Sequence, residues 1–432
     1  MANLTVALNG IVVGTLQQQK SGALQFGYDA HWLERSGARG ISLSLPLSEQ
    51  PYSGSAVYNF FDNLLPDSDA IRTRIQARFK IPTKRPFDLL ASIGRDCVGA
   101  IQIYPEESHI PSVNTVTADS LTEADIARLL KGYQTAPLGM TEETDDFRIS
   151  MAGAQEKTAL LWHKEQWHRP LGSTPTSHIF KLPIGYLSQH NIDLRKSAEN
   201  EWLCLQIAKE FGLPTANANL ACFEDQQVLI VERFDRRWSS DGSWLMRLPQ
   251  EDFCQALGVS PALKYESDSG PSIAKSMELL KGSQQVTHDR ETFFKSQVLF
   301  WLLAAIDGHA KNFSVFIEPG SAYRMTPLYD IISAYPLMSG KSIHPKKAKM
   351  AMAFLGKNRH FHWALIAPRH LKSTAEQVGY SSSKAEEMLV MMKQQTEAVV
   401  ANIIARLPPD FSVDISQPIF DGLLRQAGRL PG

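Results

Sequence analysis

The sequence predicts an α+β fold in two lobes, a β-rich N-terminal part followed by a mainly helical C-terminal part. Two observations carry this. Apolar residues alternate through the first 50 positions, and beyond residue 250 they recur at helical spacing. The length, 432 residues, suits roughly two to three domains, with a core large enough to need no disulfide or metal staple.

Element by element, Leu4, Val6 and Leu8 alternate, Asn9-Gly10 is a turn signal, and Ile11 to Leu16 return as the second arm of a hairpin. Leu24, Phe26 and Tyr28 alternate again, as do Ile41, Leu43 and Leu45. A helix from Ala70 to Phe79 and a strand from Cys97 to Tyr104 complete a β-rich module over residues 1–105. Residues 106–144 begin polar and rich in Pro, Ser and Thr, as a linker would. They continue into a connecting helix after Ser120, with Glu123 closing a capping box. Residues 145–237 hold expected strands at 158–162, 178–182 and 228–231. A helix at 198–211 is capped by Ser197 and stopped by Gly212 and Pro214. Residues 238–425 read as a helical lobe. Phe294, Val298, Trp301, Leu302 and Ala305 share one stripe, on a helix expected to run to Ile306.

Charge and cysteine usage exclude several classes. Lys and Arg number 44 against 45 Asp and Glu, so the chain is no polycation, and nucleic-acid contact must be local or supplied by a partner. Between Ile331 and Ala375 no acidic residue occurs. The same stretch carries Lys341, Lys346, Lys347, Lys349, Lys357, Arg359, Arg369 and Lys372. It reads as a solvated basic face or as a patch for a phosphate-bearing partner. Cys97, Cys204, Cys222 and Cys254 form no C-x-x-C pair and read as buried free thiols in a reducing compartment. The N-terminus lacks the basic, then apolar pattern of a signal peptide. The longest wholly apolar run, Val298 to Ile306, is too short to span a bilayer. These features lead us to expect a cytoplasmic protein with no membrane contact.

The sharpest chemistry lies in Asp307-Gly308-His309-Ala310-Lys311-Asn312, followed by Asp330. Taken singly, these are ordinary turn and cap residues. Together they supply what phosphoryl transfer to a hydroxyl needs. One carboxylate takes the attacking group's proton, and an amide oxygen and a second carboxylate hold magnesium on the nucleotide phosphates. An alternative makes Asp307, His309 and Asp330 ligands of a hydrolytic metal. A second segment, Ser150-Met151-Ala152-Gly153-Ala154-Gln155-Glu156-Lys157, precedes a strand, and its small residues would let backbone N–H groups approach phosphate; an ordinary turn would look the same. Lys181 ends an apolar strand, where a lysine can pair with phosphates and be held by Glu199 or Glu201. Glu232, Arg233 and Phe234 follow another strand. There a connector could meet an adenine through its backbone, with Phe234 packing the ring.

These segments are similar to the HipA family of bacterial serine/threonine kinase toxins. The matching stretches are LSLPL (43–47), FFDNLLPDS (60–68), IGRDCVGA (93–100), DFRISMAGAQEKTAL (146–160), KLPIG (181–185), VERFDRRW (231–238), RLPQEDFCQALG (247–258), DGHAKNFSVF (307–316) and LYDIISAYP (328–336). They run along almost the whole chain. The resemblance implies a fold related to protein and phosphoinositide kinases, with ATP and Mg2+ as cofactors. It implies Asp307 as catalytic base, with Asn312 and Asp330 as magnesium ligands. The loop Ala152 to Lys157, Lys181 and His309 would serve the phosphates or the catalytic loop, and Glu232, Arg233 and Phe234 the adenine. It further implies autophosphorylation at Ser150 and glutamyl-tRNA synthetase as protein substrate. The implied partner is a HipB-like helix-turn-helix antitoxin dimer on operator DNA, with direct phosphate contacts open to the 341–372 basic stretch. A small-molecule or lipid kinase of the same fold, or a non-catalytic antitoxin-bound corepressor, are the alternatives.

Overall fold

The protein is an α+β chain that passes repeatedly between two compact units. The computed structural model describes residues 2–132, 150–153, 155–188 and 191–432. One unit holds residues 1–182, 221–262 and 314–323; the other holds 183–220, 263–313 and 324–432.

The first unit begins with a five-stranded antiparallel sheet of β1 (Ala2–Leu8), β2 (Ile11–Gln18), β3 (Leu24–Tyr28), β4 (Tyr52–Ser53) and β5 (Ile101–Pro105), ordered β4-β3-β2-β1-β5. Asn9 and Gly10 both take positive φ, the conformation a two-residue hairpin turn demands. Helices α1 (Ser55–Asn63), α2 (Asp69–Arg78) and α3 (Pro86–Ile93) lie in the same module. Phe26, Phe60, Phe61, Leu90 and Ile103 share its apolar core, with the Phe60 and Phe61 rings edge to face.

A second sheet is ordered β10-β11-β9-β7-β8-β6, from β6 (Ala118–Ser120), β7 (Lys157–His163), β8 (Gln166–Pro170), β9 (His178–Lys181), β10 (Ala218–Phe223) and β11 (Gln226–Glu232). Helix α4 (Glu123–Lys131) covers one face of it through Ile126 and Leu130, which join Leu160, Phe180, Val228 and Ile230 in a second core.

The second unit is mainly helical: α5 (Ser197–Glu210), α6 (Val286–Leu302), α7 (Pro368–Gln377), α8 (Ser382–Ile404) and α9 (Val413–Ala427). Tyr335 fastens α6 to α9, its hydroxyl donating to the carbonyls of Leu302 at 2.8 Å and Gly422 at 3.0 Å.

Several local expectations are corrected. Ile41, Leu43 and Leu45 form no strand, only an isolated bridge between Ser42 and Leu45. The Tyr28 hydroxyl bonds the Ile41 N–H and the Leu45 carbonyl there, folding the segment into a turn. The strand expected from Cys97 begins at Ile101. Helix α4 is capped by Thr122 and Asp125 rather than Ser120 and Glu123. The expected linker is partly pinned: Ser120 belongs to β6, and Ser173 donates to the Ser112 carbonyl. Residues 133–144, the end of the expected linker and connecting segment, lie outside the described residues. Ser197 is the first residue of α5, not its cap, and its Oγ accepts from the Ile184 N–H. Helix α6 stops at Leu302, four residues early. Cys97, Cys204 and Cys254 are buried, but Cys222 is exposed.

Candidate phosphoryl-transfer site

In the second unit, the segment after α6 brings Asp307, Asn312 and Asp330 into one hydrogen-bonded group. Asn312 is buried, and its amide donates to the backbone carbonyls of Asp307 at 3.0 Å and Asp330 at 3.3 Å. Its own N–H donates to the His309 carbonyl. Both amide protons are therefore spent on tying two loops together, and Oδ1 is left as an acceptor. Asp330 does not cap a helix; the next one starts only at Tyr335. Its φ is +60°, a conformation that costs energy in most residues and recurs at functional sites. Asp307 is exposed, and its Oδ1 accepts a 2.6 Å bond from the Tyr265 hydroxyl. His309 is buried, edge-on to the Tyr265 ring.

Gly308 sits at the centre of a tight turn, the His309 N–H donating to the Asp307 carbonyl at 2.8 Å, and packing adds a second reason for glycine. A Cβ there would lie 2.3 Å from the Phe300 ring on α6. The loop is pressed onto that ring, which fixes its height over the helix end.

In the first unit, Ser150 to Lys157 is knitted into the N-terminal module. Ser150 is fully buried; its N–H donates to the Asp96 carbonyl at 3.0 Å and its Oγ to the Leu64 carbonyl at 2.7 Å. Gly153 bridges to Pro66, and its carbonyl accepts from the Asp67 N–H. Its φ of +101° favours glycine. Lys157 Nζ donates to the Ala152 carbonyl at 2.5 Å, Gln155 to the Leu182 carbonyl, and Glu156 pairs with Arg74. Ala154 lies outside the described residues. Lys157 on β7 and Lys181 on β9 are direct cross-strand partners, so both ammonium groups leave the same face of the sheet.

Arg233 leaves the nucleotide set. Its guanidinium is buried and bonded to Asp96, Asp235, Thr176 and the Cys97 carbonyl, and its N–H donates to the Ser177 carbonyl. Glu232 is exposed and Phe234 half-buried, with its ring edge-on to Phe316. Glu199 accepts from the Ser412 N–H, while Glu201 is buried.

Sequence reasoning missed what joins three of the family-like stretches. Asp96, Asp235, Arg233, Arg236 and Arg247 form one buried ion cluster. Burial would raise the Asp96 carboxyl, but Arg236, Arg247 and Arg233 hold it well below the usual range. Burial lowers Arg236 to about 10, aided by Arg233 beside it. The available signal was the recurrence of Arg and Asp in IGRDCVGA, VERFDRRW and RLPQED.

Two family descriptions match the chain: a HipA N-terminal domain over residues 4–104 and a HipA-like C-terminal domain over residues 149–403. The second alone spans more than half of the sequence. The chain belongs to the HipA family. The putative kinase Y4mE of Sinorhizobium fredii is 33% identical over 344 residues, 78% of this chain and 79% of that protein. The serine/threonine-protein kinase toxin HipA of Shewanella oneidensis is 24% identical over 380 residues, 84% of this chain and 82% of that protein. A chain of the solved Shewanella oneidensis HipA, HipB and operator DNA complex shares the fold. Its TM-score is 0.82, covering 99% of this chain and 97% of that one, at 22% identity. The HipA fold thus accounts for the mixed two-lobed architecture.

Kinase relatives imply ATP as phosphate donor. The side chains present suit magnesium. Asn312 Oδ1 and the Asp330 carboxylate are hard oxygen donors, and magnesium commonly takes one or two such groups, with water and phosphate completing its shell. Among the described residues, no group of three His, Cys, Asp or Glu side chains could hold a metal ion. The hydrolytic alternative for Asp307, His309 and Asp330 therefore lacks its cluster. No helix among the described residues is long and apolar enough to cross a membrane.

Proposed function

We propose that this HipA-family chain is a protein serine/threonine kinase that transfers the γ-phosphate of ATP, with Mg2+, to a protein hydroxyl. The observation that carries the reading is the Asn312 amide joining the backbones of Asp307 and Asp330. It collects one exposed carboxylate, one amide oxygen and a second carboxylate within the second unit. Asp307 takes the proton of the attacking hydroxyl, while Asn312 and Asp330 hold the magnesium. The Ala152 to Lys157 loop and Lys181 meet the phosphates, with Glu232 and Phe234 beside the adenine.

Glutamyl-tRNA synthetase is the proposed substrate and a HipB-like antitoxin dimer on operator DNA the proposed partner, with the chain as corepressor. Lys341, Lys346, Lys347, Lys349 and Lys357 are all exposed and suit phosphate contacts. Neutralising them would flatten the salt dependence of the operator complex by about 0.9 for each DNA phosphate that loses its lysine. An unchanged slope would reject direct DNA contact.

Ser150 is the proposed autophosphorylation site. Its full burial supports a switch, because a phosphate of charge about −1.5 to −2 cannot stay in a space that holds a hydroxyl. Phosphorylation would drive the loop off the N-terminal module and end ATP binding. The deciding experiment incubates the purified chain with magnesium and γ-labelled ATP beside Asp307→Ala, with phosphosites mapped by mass spectrometry. Label on Ser150 in the wild type alone is expected. Equal labelling of Asp307→Ala would overturn the assignment, and label at other positions only would remove the switch.

A further inference from the structure

We propose that Tyr265 is the positioning residue for Asp307, a role that rests on Asp307 acting as the base of phosphoryl transfer. The Tyr265 hydroxyl donates to Asp307 Oδ1 at 2.6 Å, within the range of a charge-assisted O–H···O⁻ bond.

Two contacts hold the ring, and a backbone bond holds the segment that carries it. It stands edge-on to the His309 imidazole, with centroids 5.0 Å apart and planes at 84°. Lys264 Nζ lies 5.6 Å from its centroid, a cation–π distance. The Lys264 carbonyl accepts the Ala310 N–H at 3.3 Å. Residues 264–265 therefore grip residues 307–310 through backbone, ring and hydroxyl. The next residue, Glu266, is buried and accepts the Ala353 N–H at 2.7 Å, anchoring the grip.

This geometry answers a problem that Asp307 poses. It is exposed, and an exposed carboxylate samples several rotamers. Tethering Oδ1 selects one of them and leaves Oδ2 for the substrate. In the reaction, the acceptor O–H proton passes to Oδ2 and the acceptor oxygen bonds the γ-phosphorus. The bond from that phosphorus to the bridging oxygen then breaks, releasing the nucleoside diphosphate. The phenol gives up no proton. It holds the base in line, where misplacement by 1 Å costs about 10²-fold. The fixed ring argues against a plug that swings away from Asp307 when substrate arrives.

The test uses the full chain with Mg2+ and γ-labelled ATP, reading ADP release and label incorporated. Tyr265→Phe keeps the ring against His309 and removes only the hydroxyl. Turnover is expected to fall about 10- to 100-fold with the KM for ATP and the melting temperature unchanged. Site-specific 3-fluorotyrosine, which keeps a donating hydroxyl, is expected to retain activity. Full activity of Tyr265→Phe beside a dead Asp307→Ala would overturn the positioning role alone. A faster Tyr265→Phe would also overturn it and make the tyrosine a plug. An active Asp307→Ala would instead remove the base itself, and the proposal with it. Equal loss in the phenylalanine and fluorotyrosine proteins would also count against it, since the hydroxyl would not then be the cause.

Discussion

Asp330 holds its carboxylate on a backbone with φ of +60°. Asn shares that tolerance with Asp, whereas a β-branched residue does not. Charge and backbone can therefore be separated. Asp330→Asn is expected to unfold in urea within about 0.5 kcal/mol of wild type while phosphoryl transfer drops by about 10²-fold or more. Asp330→Val should lose about 1–3 kcal/mol of stability as well. Wild-type turnover in Asp330→Asn would remove the residue from the site. The sequence singled out this residue because the roles proposed for Asp307, Asn312 and Asp330 rest on the chemistry of their own side chains, which can be read without the fold. It hid Tyr265, whose link to Asp307 spans 42 positions and whose type is common in cores. It also gave no sign that the Arg233 guanidinium is buried, because its partner Asp96 lies 137 positions away in the chain.

Helix α6 shows what an element's sequence does and does not reveal. Its buried stripe of Phe294, Val298, Trp301 and Leu302 was legible from periodicity. Its end was not, because no Gly, Pro or Asn marks it. Ala304 leaves the helix with φ of +48°, held by bonds from the Ala334 N–H to its carbonyl and from Ser333 Oγ to the Leu303 carbonyl. Those partners arrive some 30 residues later in the chain, so no local window contains them. The same physics erased the strand expected at Ile41 to Leu45, where Tyr28 supplies the hydrogen bonds that alternation alone could not place. The helix end in turn sets the loop after it, which rests on Phe300 through Gly308. Gly308→Ala places a methyl carbon 2.3 Å from that ring, and overpacking of this kind costs about 1–3 kcal/mol. The expected outcome is a lower melting temperature together with reduced turnover, because the lifted loop carries Asp307. Crystallography of the variant would show the displacement; an unshifted loop with normal stability would contradict the packing argument.

At the scale of the whole chain, the first unit is assembled from three separate segments, so its integrity depends on contacts made across long stretches of sequence. Glu251 is one of these. It is fully buried, accepts the Leu43 N–H at 2.7 Å and lies 2.5 Å from Ser42 Oγ, which in turn approaches the Gln255 carbonyl at 3.3 Å. Burial raises its carboxyl from the ordinary 4.5 to about 8, despite opposing bonds from Leu43 and Ser42. The folded chain therefore keeps a proton that the unfolded chain has released throughout the window from about 4.5 to about 8. Unfolding then releases a proton, so stability falls as pH rises across that window, by about 1.4 kcal/mol per pH unit at the steepest. Below 4.5 both states hold the proton and the slope vanishes. Glu251→Gln keeps an acceptor for Leu43 and a polar group of the same shape facing Ser42 but cannot ionise. Urea unfolding of wild type and variant at about pH 5, 7 and 9 isolates this one group, because every other titration is common to both. The wild type is expected to weaken relative to Glu251→Gln as pH rises, with the gap levelling above about pH 8. Parallel stability curves would show that Glu251 is already ionised in the folded chain, and that its bonds from Leu43 and Ser42 are charge-assisted.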